Sequence, residues 1–416
     1  MADPRRSAPS GLIQASATAT QESAVPAVVE QVRAKVACLG HAWTPIDVAG
    51  ALVELGQVAS DRLVLAVVEE LRRTSTGAGR LEPLLAIEGV TDVLVNGPDN
   101  VYIDRGRGLE RVDVGFTGPA EVRALATRLA ARVGRRLDDG CPWVDARLAD
   151  GTRVHAVLDV LAEPGTCISL RVPARRRLSL ADWRACGGIS SAGLEALQEV
   201  LSRRLAFLIS GGTGSGKTTL LSSMLSALPG GERLVVVEDS RELVLDHPHW
   251  IGLEARVANS EGRGEVTLTD LVRQSLRMRP DRVVLGEVRG AELRDMLMAL
   301  NTGHEGGCGT VHANGVEEVP ARLEALAALG GLSREAAQAQ IAAALSVVIH
   351  LSRGPRVRAV RQIGVVTRGG AGVEVVTAVR WDEDGRPCGG PGAGRLAELI
   401  GERLVDRLCR PGRWET

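Results

Sequence analysis

Apolar residues change their spacing along this chain, and each change predicts a different kind of element. In "DRLVLAVVEELRR" (residues 61–73) they recur every three or four positions, which predicts an amphipathic helix ending in a glycine-rich break. From Leu81 the pattern turns to alternation. Val93 and Val95, then Val101 and Ile103, flank the turn residues Gly97-Pro98-Asp99-Asn100, which predicts a β-hairpin. The helical pattern "PAEVRALATRLAARVG" follows, and then the strand-like runs "RVHAVLDVL" and "CISLRVP". Beyond residue 190 three continuous apolar runs, "LAFLIS", "RLVVVED" and "RVVLGE", alternate with helical segments. That is the pattern of a parallel sheet covered by helices on both faces.

These shifts divide the chain into a leader over residues 1–80, partly helical and, to about residue 26, disordered by composition. An α+β domain over 81–173, a polar and basic linker over 174–190 and an α/β domain over 191–382 follow. A tail over 383–416 is set off by "GRPCGGPGAG" and holds a short helix.

Composition narrows the function classes. With 44% hydrophobic and 24% charged residues the chain reads as globular, and its formal charge of −1 offers no general attraction to nucleic acid or anionic lipid. Cys38, Cys141, Cys167, Cys186, Cys308, Cys388 and Cys409 form no C-x-x-C pair, so neither a disulfide framework nor zinc-ligand spacing is expected. No apolar run is long enough to cross a bilayer.

Lys35 and Lys217 are the two lysines among 50 basic residues, and Lys217 ends a glycine-rich run. Gly211, Gly212, Thr213, Gly214, Ser215, Gly216, Lys217 and Thr218 fit G-x-x-x-x-G-K-[ST]. The run follows an apolar strand and, through Thr219, opens a helix. The chemistry expected of it is a cradle of backbone N–H groups for ATP phosphates. Lys217 would reach the β- and γ-phosphates and the Thr218 hydroxyl would ligate Mg²⁺. A compact ammonium suits that place better than a guanidinium fork.

Ligands of open α/β sheets sit beyond the carboxyl ends of the strands. Glu238 and Asp239 follow "LVVV", and Glu287 follows "VVLG". Glu238, Glu242 and Glu287 are therefore the candidates to hold Mg²⁺, Glu238 through water, and to orient or deprotonate an attacking water. His304 and His312 lie eight residues apart in "NTGHEGGCGTVHAN" without a third ligand at metal spacing, and His312 is the candidate phosphate sensor.

Four blocks in order, "GGTGSGKTTLL", "VVEDSREL", "LRMRPDRVVLGEVRG" and "TGHEGGCGTVHAN", resemble the type II/IV secretion ATPase superfamily, most closely its Tad/Flp pilus-assembly branch. The resemblance extends upstream through "DVLVNGPDNVYIDR" and "PWVDARLADGTRVHAV", covering about residues 80–380. It implies a RecA-like P-loop NTPase domain of α/β class behind a smaller α+β domain, in a homo-hexameric ring that binds ATP between domains at the subunit boundary. It also implies a place on the cytoplasmic side of the inner membrane and a membrane platform protein as partner, without direct nucleic-acid binding.

By resemblance, Lys217 and Thr218 bind phosphate and Mg²⁺, Glu242 belongs to the acidic box, Glu287 is the catalytic glutamate and His312 lies near the γ-phosphate. Arg153 and Arg171 match arginines that approach the γ-phosphate from the N-terminal domain, with Arg277 and Arg279 as alternatives from a neighbouring subunit. Cys308 stands where many relatives carry a small hydroxyl residue.

A type IV secretion or conjugation motor shares every one of these motifs. A DNA translocase is disfavoured by an aromatic content of 2%. A silent nucleotide-binding scaffold is disfavoured by the full set of candidate catalytic residues.

Overall fold

The computed structural model describes residues 25–36, 44–75, 77–106, 108–173, 177–258, 262–354, 357–370 and 372–410. The expectation of disorder for residues 1–26 lies almost entirely outside them. The chain forms two compact units, residues 1–175 and 176–416.

The first unit opens with three helices, α1 (Val25–Val36), α2 (Pro45–Glu54) and α3 (Asp61–Ser75). Their facing apolar residues, among them Val32, Val48, Leu52, Val67 and Leu71, form a core of their own. After the short α4 (Glu82–Ala86) come β1 (Asp92–Asn96), β2 (Val101–Asp104) and β3 (Leu109–Val112). Helix α5 (Pro119–Ala131), β4 (Trp143–Arg147), β5 (Arg153–Val157) and β6 (Cys167–Arg171) complete the unit. The strands make an antiparallel sheet in the order β3-β2-β1-β6-β5-β4. Val93 pairs with Ile103 and Val95 with Val101, the register that alternation predicts. These residues join Val122, Leu125 and Leu129 of α5 in one core.

The second unit is an α/β domain that carries the glycine-rich run. Its elements begin with α6 (Leu180–Ala185), α7 (Ser191–Ser202), β7 (Phe207–Gly211), α8 (Lys217–Ser226), β8 (Leu234–Glu238) and β9 (Trp250–Glu254). They continue through α9 (Leu268–Ser275), β10 (Arg282–Leu285), α10 (Glu292–Asn301), β11 (Cys308–Val311), α11 (Val319–Leu329) and α12 (Arg334–Ala344). The last are β12 (Val347–Arg353), β13 (Arg358–Gly369), β14 (Gly372–Trp381), β15 (Pro387–Gly389), α13 (Ala393–Ile400) and α14 (Glu402–Cys409).

The sheet order is β15-β14-β13-β12-β7-β11-β10-β8-β9, parallel from β12 to β9 and antiparallel from β12 to β15. β7 and β8 are buried along their whole length, as strands covered on both faces must be. One face packs against α7, α8, α13 and α14. The other packs against α9, α10, α11 and α12.

Two stretches differ from expectation. Residues 177–190 do not stay outside the domain as a linker. Ser179 and Asp182 form a reciprocal capping box that starts α6, and this helix carries Trp183 into the core, 3% exposed, where its Nε1–H donates to Ser223 Oγ at 3.0 Å. The tail is likewise built in. β15 pairs with β14, and Leu396, Ile400, Leu404, Val405 and Leu408 of two helices, rather than one, complete the core beneath the sheet.

Candidate functional site

The site grows from the carboxyl ends of β7, β8, β10 and β11. The glycine-rich loop leaves β7 at Gly211, where geometry excludes any side chain. A Cβ there would lie 2.5 Å from Leu351 O and 2.6 Å from Ser215 Oγ, with φ at +156°. The loop closes on Gly216, whose φ of +98° lies in the left-handed region, and α8 begins at Lys217. Ten residues of helix then direct their N-terminal dipole at the space the loop encloses.

Lys217 is 7% exposed, and its Nζ donates to Gly211 O and Gly212 O, each at 3.0 Å. Burial pushes its pKa down, and the charge of Arg289 adds to this against Glu287 and Glu242. The ammonium is thus parked on the loop's own carbonyls, ready to exchange them for anionic oxygens. Ser215 Oγ, buried under the loop, has no hydrogen-bond partner. Thr218 and Thr219 are half-buried in the first turn of α8, and Gly212, Thr213 and Gly214 are exposed. A side-chain-free cradle, a buried ammonium and an unsatisfied hydroxyl at a helix N-terminus fit a polyphosphate.

Next to the loop, His312 follows β11 and Glu287 follows β10, strands that pair in parallel. His312 Nε2 lies 2.9 Å from Glu287 Oε1, and His312 Nδ1 lies 3.5 Å from Lys217 Nζ. Burial lowers the His312 pKa, and the Lys217 charge lowers it further, so the ring is neutral near pH 7. An Nδ1 facing an ammonium must accept, which places the ring proton on Nε2, where it donates to Glu287. Lys217, His312 and Glu287 therefore form one connected chain.

Arg289 adds a member that the motifs did not single out. Its Nη2 donates to Glu287 Oε2 at 2.7 Å and its Nη1 to Asp239 Oδ2 at 2.5 Å, joining the ends of β10 and β8. Its backbone is pinned by Glu292, whose Oε1 accepts from Arg289 N and Gly290 N, each at 2.7 Å. The available signal was local: a basic residue two positions after a strand-end acid, beside a second strand that also ends in acids. Burial pushes the Glu287 carboxyl up, but the Arg289 hydrogen bond and charge, with His312 and Lys217, outweigh it and hold the group below the usual carboxylate range.

Glu238 behaves differently from the water-mediated Mg²⁺ ligand expected of it. It is 3% exposed and turned inward over Gly286, where a Cβ would lie 2.5 Å from Glu238 Cγ. Its Oε1 accepts from the backbone of Glu242 and Leu243, each at 2.9 Å, so it fixes the loop that carries the acidic box. Burial raises its pKa to about 7. Glu242 is exposed on that loop, near enough for its charge to act on Lys217.

His304 contacts Ala299 O at 3.3 Å behind α10, away from this chain of groups. Cys308 is fully buried at the start of β11, and burial pushes its thiol up to about 12, so it is an inert packing group. Arg277 and Arg279 precede β10 and stand at the amino edge of the sheet, opposite the phosphate loop. Arg153 and Arg171 belong to the first unit, where β5 and β6 set them directly side by side, and Arg171 Nε donates to Asp92 Oδ1 at 3.2 Å. Among the described residues no group of three or more His, Cys, Asp or Glu could hold a metal alone, so a cation here would need phosphate oxygens or hydroxyls.

Comparison with known proteins bears on this arrangement. A Mycobacterium tuberculosis protein provisionally named for conjugal transfer is 52% identical over 331 residues, spanning 78% of this chain and 94% of its own. The type IV secretion system protein PtlH of Bordetella pertussis is 35% identical over 269 residues, 58% of this chain and 78% of its own. Among solved structures, the ATPase DotB of Legionella pneumophila superposes with a TM-score of 0.49 at 18% identity, over 70% of this chain and 80% of that one. The pattern described as "Type II/IV secretion system protein" matches residues 74–386, which include the six-stranded sheet, the phosphate loop, Glu287 and His312. The chain therefore belongs to the type II/IV secretion system protein family.

Proposed function

We propose that this protein is a Mg²⁺-dependent ATP hydrolase acting as one subunit of a ring motor. The observation that carries the reading is the connected Lys217–His312–Glu287 chain at the mouth of a glycine-rich phosphate cradle. The loop N–H groups and Lys217 would bind the polyphosphate, and Thr218 would hold Mg²⁺. Mg²⁺, when bound, supplies charge that offsets the phosphate oxygens. Glu287, ionised and oriented by His312 and Arg289, would take the proton of the attacking water.

The work performed is the assembly of a Tad/Flp-type pilus or the secretion of protein. It proceeds in a homo-hexamer on the cytoplasmic side of the membrane, against a membrane platform partner. Sequence blocks shared with that branch support this reading. Among the described residues no helix is long and apolar enough to cross a membrane. A second reading, a type IV secretion or conjugation motor, is favoured by the names of the relatives, which refer to conjugal transfer and type IV secretion.

The test of the chemical step is Glu287→Gln. The amide keeps shape but cannot accept the proton, so turnover should fall by about 10²–10⁴-fold with ATP binding retained. Loss of binding with normal turnover of whatever ATP remains bound would make Glu287 a binding residue.

A further inference from the structure

The carboxylates and His312 all approach the phosphate loop from the β10 and β11 side. On its other flank stands the hairpin of β12 and β13. β12 runs parallel to β7 with Leu351 beside Gly211, so the next two residues, Ser352 and Arg353, continue past the strand end that carries the loop. The chain then returns, and Arg353 pairs directly with Arg358.

By strand alternation these two arginines share the face of Leu351 and Val360, which belong to the core beneath α8. Both reach the loop. A Cβ on Gly216 would stand 3.3 Å from Arg358 Cδ, and one on Gly214 would stand 4.0 Å from Arg353 Nη1. Guanidinium forks match phosphate oxygens in shape as well as charge.

The two flanks of the loop are thus chemically opposite. The side of Glu287, Asp239 and His312 suits the phosphate that water attacks. A nucleotide lying with that phosphate toward the carboxylates has its nucleoside end toward β12. We infer that Arg353 and Arg358 form a binding subsite for the nucleoside-side phosphate of ATP, gripping ATP and ADP alike. The inference rests on the reading of the loop as an ATP site and adds residues to it.

The experiment is equilibrium binding of ATP and of ADP, with KM and kcat, on the full-length protein. Wild type is compared with the Arg353→Ala, Arg358→Ala double variant and with Lys217→Ala. The double variant should bind both nucleotides about tenfold to a hundredfold more weakly, with KM raised and kcat nearly kept. Wild-type affinity in the double variant, with binding lost in Lys217→Ala, would overturn the subsite and leave the ATP site standing. A loss confined to ATP would move the arginines to the terminal phosphate and equally overturn it. Should wild type bind neither nucleotide, the ATP site fails and the subsite with it. If the alanine pair does not fold, Arg353→Gln with Arg358→Gln, of similar length and uncharged, is judged by the same result.

Discussion

Glu238 and Glu287 end neighbouring strands and are held in opposite states. Arg289, His312 and Lys217 keep Glu287 ionised against its burial. Glu238, more deeply buried and facing no cation at hydrogen-bond distance among the described residues, is raised to about 7. For Glu238 the linkage sign is that of an acid with a raised folded pKa. Its contribution to stability is fully present below about pH 4.5 and is lost as pH rises through about 7. Glu238→Gln should therefore flatten the fall in stability between pH 5 and pH 8, read as the urea midpoint at each pH without nucleotide. An unchanged pH slope would mean that another group dominates. From sequence both residues were legible as strand-end acids, but their roles were not separable. What separates them is that Gly286 leaves room for Glu238 to turn inward while Arg289 holds Glu287 outward. Those are cross-strand contacts, and they exist only once β8 and β10 are in register.

At the scale of elements, the parallel sheet and its two-sided cover were visible because fully buried strands read as unbroken apolar runs. Four of the six strands of the first unit's sheet, β1, β2, β5 and β6, were visible because half-buried strands alternate, whereas the mostly exposed β3 and β4 were not. Helix α6 was not, and of the two tail helices only one was expected. α6 is six residues long, and its apolar contribution is concentrated in Leu180 and Trp183 within a basic, glycine-ended stretch. The tail helices follow a glycine and proline run that reads as a boundary, whereas Gly390 and Gly392 bring the chain close over Thr377, where a Cβ would lie 2.3 Å and 3.1 Å from its carbonyl. α6 also supports the site, since Trp183 Cη2 would stand 3.3 Å from a Cβ on Gly216. Trp183→Ala should cost about 3–5 kcal/mol of stability, visible as a lowered denaturation midpoint. Trp143→Ala, at a position 56% exposed in the other unit, should change stability by less than about 0.5 kcal/mol. Equal effects would show that α6 is not part of the folded core.

At the scale of the molecule, the phosphate-binding groups and the candidate base lie in the second unit, and Arg153 and Arg171 lie in the first. An arginine delivered to a phosphoryl-transfer site is worth about 10³–10⁵-fold in rate. If, as the resemblance implies, Arg153 and Arg171 approach the γ-phosphate, Arg153→Ala and Arg171→Ala are expected to retain ATP binding and lose turnover by about that range, with wild-type turnover rising with protein concentration as subunits assemble. Rates untouched by either substitution would confine the chemistry to one unit. Family membership was legible in the spacing of four short blocks, because each block places one chemical group at the end of one strand. The arginine pair at the tip of β12 and β13 was not, since it stands 142 residues beyond the loop it faces when counted from Gly211 to Arg353. Whether the loop around Lys217 binds and hydrolyses ATP, as proposed, is tested by ATP turnover of the purified full-length protein with Mg²⁺, wild type beside Lys217→Ala. Turnover is expected in the first and none above background in the second, with the folded state unchanged. Equal turnover in the two proteins would contradict it.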